Sequence, residues 1–277
     1  MAINTALVGK TYGPTEYKYT SKETILYALG VGSGPDELGF VFENDIRVLP
    51  TFSVVPSFPT ALMGMAETGA NPMMVVHGEQ GITLHGPIPD EGTLSTTATI
   101  EAIYDKGSGA SILVKTETVD SKGKALFDCR YIFFARGEGG FGGERGPAAE
   151  TIEYPDRDPD FRTDMPTLPQ QALIYRLSGD LNPLHADPNF AKIAGFDRPI
   201  IHGLCTYGHA GRAILKGACG GDPEKFKSFQ ARFSGPAYPG DTLITEGWEV
   251  EKGKYLVRCT RQTGDVVLRN AVATINV

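Results

Sequence analysis

The chain is poor in the features that define several protein classes. It has four cysteines and no C-x-x-C pair, which indicates neither a disulfide scaffold nor a cysteine-rich zinc site. Free thiols in a reducing compartment are therefore expected. Lysine and arginine (26) are outnumbered by aspartate and glutamate (33), and the net charge of -7 argues against general binding of nucleic acid or anionic membranes.

The sequence also lacks long apolar runs. No segment approaches the length that crosses a bilayer, the N-terminus has no charged start followed by an apolar core, and residues 275–277 are not a peroxisomal signal. We therefore expect a cytoplasmic protein with no membrane contact and no nucleic-acid partner. The length of 277 residues fits two domains of the usual ~150 residues each.

One stretch places a carboxylate, an amide and an imidazole within six residues: Asp180, Asn182 and His185. Residues 172–179 read as a helix that ends in glycine, and Pro183 prevents it from resuming. A tight loop can bring the three side chains to one point, where a water molecule could be held, oriented and deprotonated. The alternative is structural: a capping aspartate, an Asx-turn at Asn182 and a loop histidine.

A second helix is predicted directly downstream. Apolar residues keep a helical period over residues 204–215, starting right after Gly203 and ending before Gly217. The first N–H groups of a helix lack internal partners and lie at the positive end of its dipole. Gly203 could therefore donate to an oxygen that gains negative charge during a reaction. The alternative for Gly203 is a plain turn glycine.

Residues 175–215 resemble the R-specific enoyl-CoA hydratases, also called hydratase 2, of the MaoC-like group. The similarity continues at residues 77–80, 105–109 and 139–143, as in the two-domain form that is also fused into peroxisomal multifunctional enzymes. The resemblance implies an α+β double hot-dog fold, with two curved antiparallel sheets each associated with a helix and the first helix shortened or lost. It also implies reversible syn hydration of trans-2-enoyl-CoA to (3R)-3-hydroxyacyl-CoA. No cofactor is expected, because CoA is part of the substrate.

The resemblance suggests roles for individual residues. Asp180 and His185 would form the acid-base pair, with Asp180 as base and His185 as acid, although the division of these two roles is open. Asn182 would orient the water, and Gly203 would supply a backbone donor to the thioester oxygen. Substrate contacts would come from four further residues: His77, Gly78, Lys106 and Phe233. The alternatives are a structural histidine at position 77 and a solvated turn lysine at position 106.

Weak echoes between the two halves suggest an internal duplication. Residues 25–32 resemble residues 173–180, and in both halves a Gly-Pro pair and then a Thr-Leu pair lead into a strand-rich region. In this alignment Gly32 stands where Asp180 stands, and no equivalent of the catalytic loop follows it. We therefore expect the first half to be catalytically silent and to shape the acyl pocket.

The duplication leads to a prediction of domain boundaries. An N-terminal hot-dog domain would cover residues 1–135, a connector rich in glycine and proline residues 136–165, and the catalytic C-terminal domain residues 166–277. The short, interrupted segment 61–69 would be the remnant of the first central helix. Six strands are predicted, at residues 97–104, 110–118, 126–134, 243–250, 255–260 and 266–275.

Other motifs and functions were weighed. Residues 137–142 match G-x-G-x-x-G literally, but the prolines and polar residues that follow predict a mobile connector and not a dinucleotide site. His202 and His209 lie seven apart without an H-E-x-x-H frame, so no metal site is predicted. Three alternatives stay open: a dehydratase acting on acyl-carrier-protein thioesters, a thioesterase on the same fold, and a non-catalytic acyl-CoA binding module. A homodimer is compatible with the resemblance.

Overall fold

The computed structural model describes residues 3–148 and 151–277. Its strands are β1 Thr11–Tyr19, β2 Val75–Leu84, β3 Gly92–Asp105, β4 Gly109–Asp120, β5 Ala125–Arg136, β6 Phe161–Pro166, β7 Phe226–Phe233, β8 Thr242–Glu251, β9 Lys254–Arg261 and β10 Val266–Ile275. Its α-helices are α1 Ser21–Gly30, α2 Leu38–Val41, α3 Val54–Glu67, α4 Gln171–Tyr175, α5 Pro188–Ile193 and α6 Gly203–Gly217. Short 3-10 turns cover Thr5–Leu7, Pro35–Glu37, Pro50–Ser53, Pro72–Met74, Arg176–Ser178, Pro183–His185 and Pro223–Lys225.

All the strands belong to one sheet whose two halves repeat the same topology. The order is β1-β3-β4-β5-β2 in the first half, followed by β7-β10-β9-β8-β6 in the second. Each half therefore has its first strand at the outer edge and its second strand at the centre of the sheet. There β2 and β7 pair antiparallel, with Gly81 opposite Gln230. The predicted α+β architecture is confirmed, and the repeated topology supports the expected internal duplication.

Alternating burial explains how most of the six predicted strands could be recognised, whereas the first half of β4 is buried at every position. Along β3, buried residues such as Leu94, Ala98 and Ile100 alternate with half-exposed ones, so one face of the sheet meets the core. That face packs on α3 in the first half and on α6 in the second. In α6 every residue from Leu204 to Leu215 is buried, as expected for a helix wrapped by a sheet.

The first central helix is present at nearly the length of the second, so the prediction that it is shortened or lost was wrong. Helix α3 has 14 residues against 15 in α6, and it begins before the segment 61–69 that was taken as its remnant. Two prolines made helix α3 difficult to recognise in the sequence. Pro56 lies in the first turn, where a helix needs no N–H donor, while Pro59 lies inside the helix. Packing of the apolar face of α3 against β3 and β4 stabilises the helix despite Pro59.

The two halves also meet through helices. Helix α6 approaches α1 at Gly208, where an added Cβ would lie 2.4 Å from Cγ1 of Val31. Nearby, the buried guanidinium of Arg212 forms an ion pair with the buried carboxylate of Glu37 and donates to the Val31 carbonyl oxygen at 2.8 Å. At the adjacent surface, Lys216 contacts the exposed Asp36 at 3.1 Å. A charged contact therefore links the halves inside the core.

The glycine-rich connector is ordered around a carboxylate. Asp105 accepts hydrogen bonds from the N–H groups of Gly107, Gly140 and Gly142, each at 2.8 Å. These bonds, led by the one from Gly140, lower the pKa of Asp105. The described part of the connector beyond Gly142 contains no helix before β6, so the geometry of a dinucleotide-binding loop is not formed there. These hydrogen bonds therefore hold the start of the connector against Asp105, at the end of β3.

The predicted connector ends too late. It was expected to reach residue 165, but β6 already begins at Phe161 and pairs with β8. We propose that residues 1–135 form the first unit and that the second begins at Phe161.

The cysteines and the helix lengths bear on two further expectations. All four cysteines are free and buried, as predicted. Burial raises the pKa of the Cys205 thiol, which suits a packing residue and not a nucleophile. Within the residues that the structure describes, no helix has both the length and the apolar character needed to span a bilayer.

Candidate active site

The loop after α4 carries the predicted catalytic groups. Gly179 ends the helical segment with a φ of 121°, a left-handed value that favours glycine. The chain then turns again at Pro183–His185, where Asn182 is the N-cap and its Oδ1 accepts from the N–H two residues further on at 3.0 Å. These two turns leave Asp180 half-buried and Asn182 exposed, and they bury His185.

The loop brings Asp180 and His185 together with a third residue, His202. One carboxylate oxygen and one nitrogen of each ring lie within 4.8 Å of one another. Nδ1 of His185 donates to the Ile200 carbonyl oxygen at 2.9 Å, because a carbonyl can only accept. The neutral ring therefore keeps a lone pair on Nε2. Burial lowers the pKa of His185 and favours this neutral form, against smaller raising effects of Ile200 and Asp180.

His202 is the residue that the sequence analysis missed. It occupies the N-cap position of α6, and its Nε2–H donates to the backbone carbonyl oxygen of Asp180 at 3.1 Å. Its ring stacks on that of His185, with centroids 3.7 Å apart and an interplanar angle of 27°. Burial lowers the pKa of His202 to about 2, so this ring is neutral. Its position directly before Gly203 was the signal that could have identified it.

Three such groups could be taken for a metal site. In a metal complex each ligating nitrogen points at the ion along the plane of its ring, at about 2.1 Å. The ring planes of His185 and His202 are stacked, 3.7 Å apart between centroids and only 27° from parallel, so one ion does not lie close to both planes unless a ring rotates. The donor types fit a metal but this arrangement does not.

Gly203 and Phe233 connect the loop that carries Asp180 and His185 to the first half of the chain. Gly203 begins α6, and a Cβ added there would lie 3.2 Å from the Phe233 ring, so glycine permits the close approach. Phe233, at the end of β7, meets the ring of His77 from β2 at 4.9 Å between centroids. The structure thus brings five of the predicted site residues into one continuous region: Asp180, His185, Gly203, Phe233 and His77.

His77 lies on the inner face of the sheet as part of an aromatic wall. Its Nε2–H donates to the Glu79 carbonyl oxygen at 3.0 Å, and burial lowers its pKa to about 4. Three other rings surround it: Phe58, Tyr131 and Phe133. Gly78 occupies an irregularity in the pairing of β2 with β5, and an added Cβ there would lie 3.2 Å from a carbonyl oxygen. A neutral, apolar wall of this kind suits contact with an acyl chain.

Lys106 is not part of that region in the structure. It lies in the turn after β3, where its Nζ donates to the carbonyl oxygens of Arg145 and Pro147 and stands 5.4 Å from the Tyr104 ring centroid. These bonds tie the turn to the connector. A contact between Lys106 and a substrate remains a proposal.

The equivalent position in the first half has no catalytic group. Gly32 follows α1 with a φ of 83°, and a Cβ there would lie only 2.7 Å from Nε2 of His209. No side chain of any kind fits without displacing His209. This geometry supports the expectation that the first half is catalytically silent.

Comparisons with known proteins agree with this arrangement. Residues 17–137 match the family model described as the MFE-2 hydratase 2 N-terminal domain, and residues 150–272 match the MaoC like domain. The chain is 45% identical over 269 residues to 3-hydroxyacyl-thioester dehydratase Y of Mycobacterium tuberculosis, covering 93% of this chain and 91% of the relative. It is 43% identical over 274 residues to a probable enoyl-CoA hydratase 2 of Dictyostelium discoideum, with 95% and 92% covered.

The fold comparison gives the same result. The crystal structure of a MaoC-like dehydratase from Phytophthora capsici superposes with a TM-score of 0.87 at 32% identity, covering 99% of this chain and 98% of that one. That agreement extends over both halves and the connector. The chain therefore belongs to the two-domain hydratase 2 family of MaoC-like proteins.

Proposed function

We propose that the chain catalyses the reversible syn hydration of trans-2-enoyl-CoA to (3R)-3-hydroxyacyl-CoA. The observation that carries the proposal is the convergence of Asp180 and His185 beside the N-terminus of α6. A polar pair and an N–H donor at the end of an apolar wall are what water addition to an unsaturated thioester requires. The two relatives are named for the two directions of this one reaction.

His185 is the better candidate for the group that first takes a proton from water. Its Nδ1–H is committed to Ile200, its Nε2 lone pair is available, and its pKa is lowered, so it starts without the proton that an acid needs. As the hydroxyl adds to C3, Nε2 takes the second proton of the water and returns it to C2 on the same face. Addition on one face is therefore syn. The Asp180 carboxylate stabilises the imidazolium that forms in between. His185 thus serves as base and then as acid, which differs from the expected division of roles.

Gly203 stabilises the negative charge that develops on the thioester oxygen. As the first residue of α6, its N–H has no carbonyl one turn earlier in the helix. A single well-aimed donor of this kind contributes about 3 kcal/mol to a transition state. Asn182 keeps its structural N-cap bond through Oδ1, and we propose that its amide NH₂ group orients the water.

The first half contributes the acyl pocket through the aromatic wall around His77 in this proposal. The free, buried cysteines support a reducing compartment such as the cytoplasm. The proposed steps use water and protein groups alone.

The decisive experiment follows the absorbance of the enoyl thioester with crotonyl-CoA and determines the configuration of the product by chiral chromatography. Loss of absorbance with a (3R) product is expected, because water is held on one face of the substrate by the catalytic loop. A (3S) product would contradict the proposed site. Release of free CoA would identify a thioesterase, and binding without turnover would identify a binding module. Turnover of crotonyl-acyl-carrier-protein with no turnover of crotonyl-CoA would identify the carrier-protein dehydratase.

A second prediction concerns His202, which contacts both members of the pair. His202→Phe keeps a ring that can stack on His185 but removes the N–H that the Asp180 carbonyl oxygen accepts. We expect kcat to fall about tenfold with little change in KM, because a lost buried hydrogen bond costs roughly 1–3 kcal/mol and here loosens the catalytic loop. Steady-state kinetics at several pH values would measure this. Unchanged kcat in a folded His202→Phe enzyme would show that the bond does not position Asp180.

A further inference from the structure

A basic cleft opens on the outer face of the sheet, behind the catalytic region. Its volume is about 310 Å³, and three arginines line it: Arg232 from β7, Arg258 from β9 and Arg269 from β10. The described residues that line it include no carboxylate. In a chain with a net charge of -7, this is a marked local excess of positive charge.

Part of this charge has no close carboxylate partner among the described residues. Arg232 and Arg269 lie directly opposite each other on β7 and β10, an arrangement of like charges that destabilises a sheet. Arg258 is paired with Glu246 at 2.9 Å, but Arg232 reaches Glu79 only at 3.9 Å. Arg269 is exposed and has no ion pair within the described residues. A bound anion would remove the repulsion.

The backbone at the cleft is also specialised. The pairing of β10 slips next to Arg269 against both β7 and β9, and Asn270 at this bulge has a left-handed φ of 47°. Bulges of this kind redirect side chains and are frequent beside active sites. The Oδ1 of Asn270 accepts from the N–H of Ile152 at 3.3 Å, which fixes the connector along the wall of the cleft.

The duplicated first half provides an internal comparison. On the corresponding face, Lys115 and Arg130 line a second cleft, together with Glu101 and Asp128. There Arg130 pairs with Glu101 at 2.9 Å, and Lys115 contacts Asp128 at 3.5 Å. The basic residues of that face are thus balanced by carboxylates. The unbalanced charge is a property of the second half, which is the half that holds the catalytic loop.

The cleft and the catalytic region share the end of β7. Phe233 faces inward to Gly203 and His77, while Arg232, one residue earlier, faces outward because side chains alternate along a strand. Ser234, the next residue, lines the cleft. A long, thin substrate arm that starts at Gly203 could therefore pass the end of β7 and reach the arginines.

We propose that this cleft binds the phosphate groups at the nucleotide end of the CoA thioester whose acyl end lies at Gly203, an inference that rests on the proposed hydratase function. Guanidinium groups bind phosphate through paired, charge-assisted hydrogen bonds, and three of them suit a ligand with several phosphates. The pantetheine arm would connect the two sites around Ser234.

The test compares crotonyl-CoA with crotonyl-pantetheine, which carries the same thioester without phosphates. Arg269→Gln is expected to raise KM for crotonyl-CoA about tenfold or more, with no matching fall in kcat, because a distant phosphate contact stabilises ground and transition states alike. KM for crotonyl-pantetheine should not move. The matched control is Arg130→Gln on the corresponding face of the first half, which should leave KM for both substrates unchanged.

The outcomes separate this proposal from the hydratase function. One outcome is that the wild type hydrates crotonyl-CoA while Arg269→Gln has an unchanged KM. That result would overturn the proposed phosphate site and leave the hydratase function intact. If the wild type hydrates neither substrate, the function fails, and calorimetric titration with CoA tests the cleft alone. Binding that Arg269→Gln weakens would support the cleft, whereas equal binding would overturn it. A loss confined to crotonyl-acyl-carrier-protein would also overturn it.

Discussion

Replacing Asp180 by Asn, or His185 by Gln, is expected to lower the hydration rate at least ~100-fold while the fold stays intact, because general acid-base groups contribute 100- to 10,000-fold. The two losses should overlap, because in the proposed mechanism Asp180 supports the same proton transfer that His185 carries out. Absorbance assays with crotonyl-CoA would measure the hydration rates, and circular dichroism would check that each variant is folded. Near wild-type turnover in either folded variant would remove that residue from the proton-transfer pair.

The pH dependence of the wild-type enzyme gives a matched control on the role of His185. Burial lowers its pKa from the ordinary 6.5, so the neutral base persists to lower pH than in a free histidine. The ratio kcat/KM should therefore be flat near neutral pH and fall only as the pH drops below 6.5. This acid limb should be absent from the residual activity of His185→Gln. A limb that stays in the variant would assign it to another group.

Replacing Arg212 by Met is expected to lower the free energy of unfolding by about 3–5 kcal/mol, because it removes the buried partner of the Glu37 carboxylate and leaves only the longer contact with Lys216, at 3.6 Å. Urea titration followed by circular dichroism at neutral pH would measure the change. The double variant with Glu37→Gln should recover much of the loss, since the uncompensated charge is then gone.

Lys216→Met is the control for this prediction. It removes the surface pair with Asp36 at 3.1 Å and the longer contact with Glu37 at 3.6 Å, while Arg212 still neutralises Glu37. Exposed pairs contribute about 0–1 kcal/mol, so this variant should remain close to the wild type. If the Arg212 and Lys216 substitutions lower the free energy of unfolding equally, the buried pair contributes no more to stability than the surface pair.

Much of the sheet could be predicted because burial of one face forces an alternating pattern. Strands β3, β4, β5, β8, β9 and β10 were all found where the sequence placed them. Four strands were missed. The strands β1 and β6 lie at the edges of the sheet, where many residues stay exposed and the pattern is weak. The central strands β2 and β7 were missed because their burial does not alternate regularly: residues 75–79 are all half-exposed, and β7 buries Phe226, Phe229 and Ala231 at uneven spacing. Helix α3 was misplaced because tertiary packing overrides the proline at position 59.

The site, too, could be predicted only where its residues lie close together in the sequence. The spacing of Asp180 and His185 within one loop was visible locally, and the structure brings both groups together. His202 and the aromatic wall depend on contacts between segments far apart in the chain, which spacing alone does not reveal. The literal G-x-G-x-x-G motif misleads for a related reason: its backbone N–H groups do surround an anion, but that anion is the chain's own Asp105.

The pairing of β2 with β7 bears on why the two halves are joined in one chain. It gives each half the neighbour that a second copy of that half would supply in a symmetric dimer. Cutting the chain between the halves would bare a long row of unpaired backbone groups on both strands, a surface prone to aggregate. Joining the halves in one chain removes that hazard, and under the proposed function it allows the first half to carry a glycine, Gly32, in place of a reacting group.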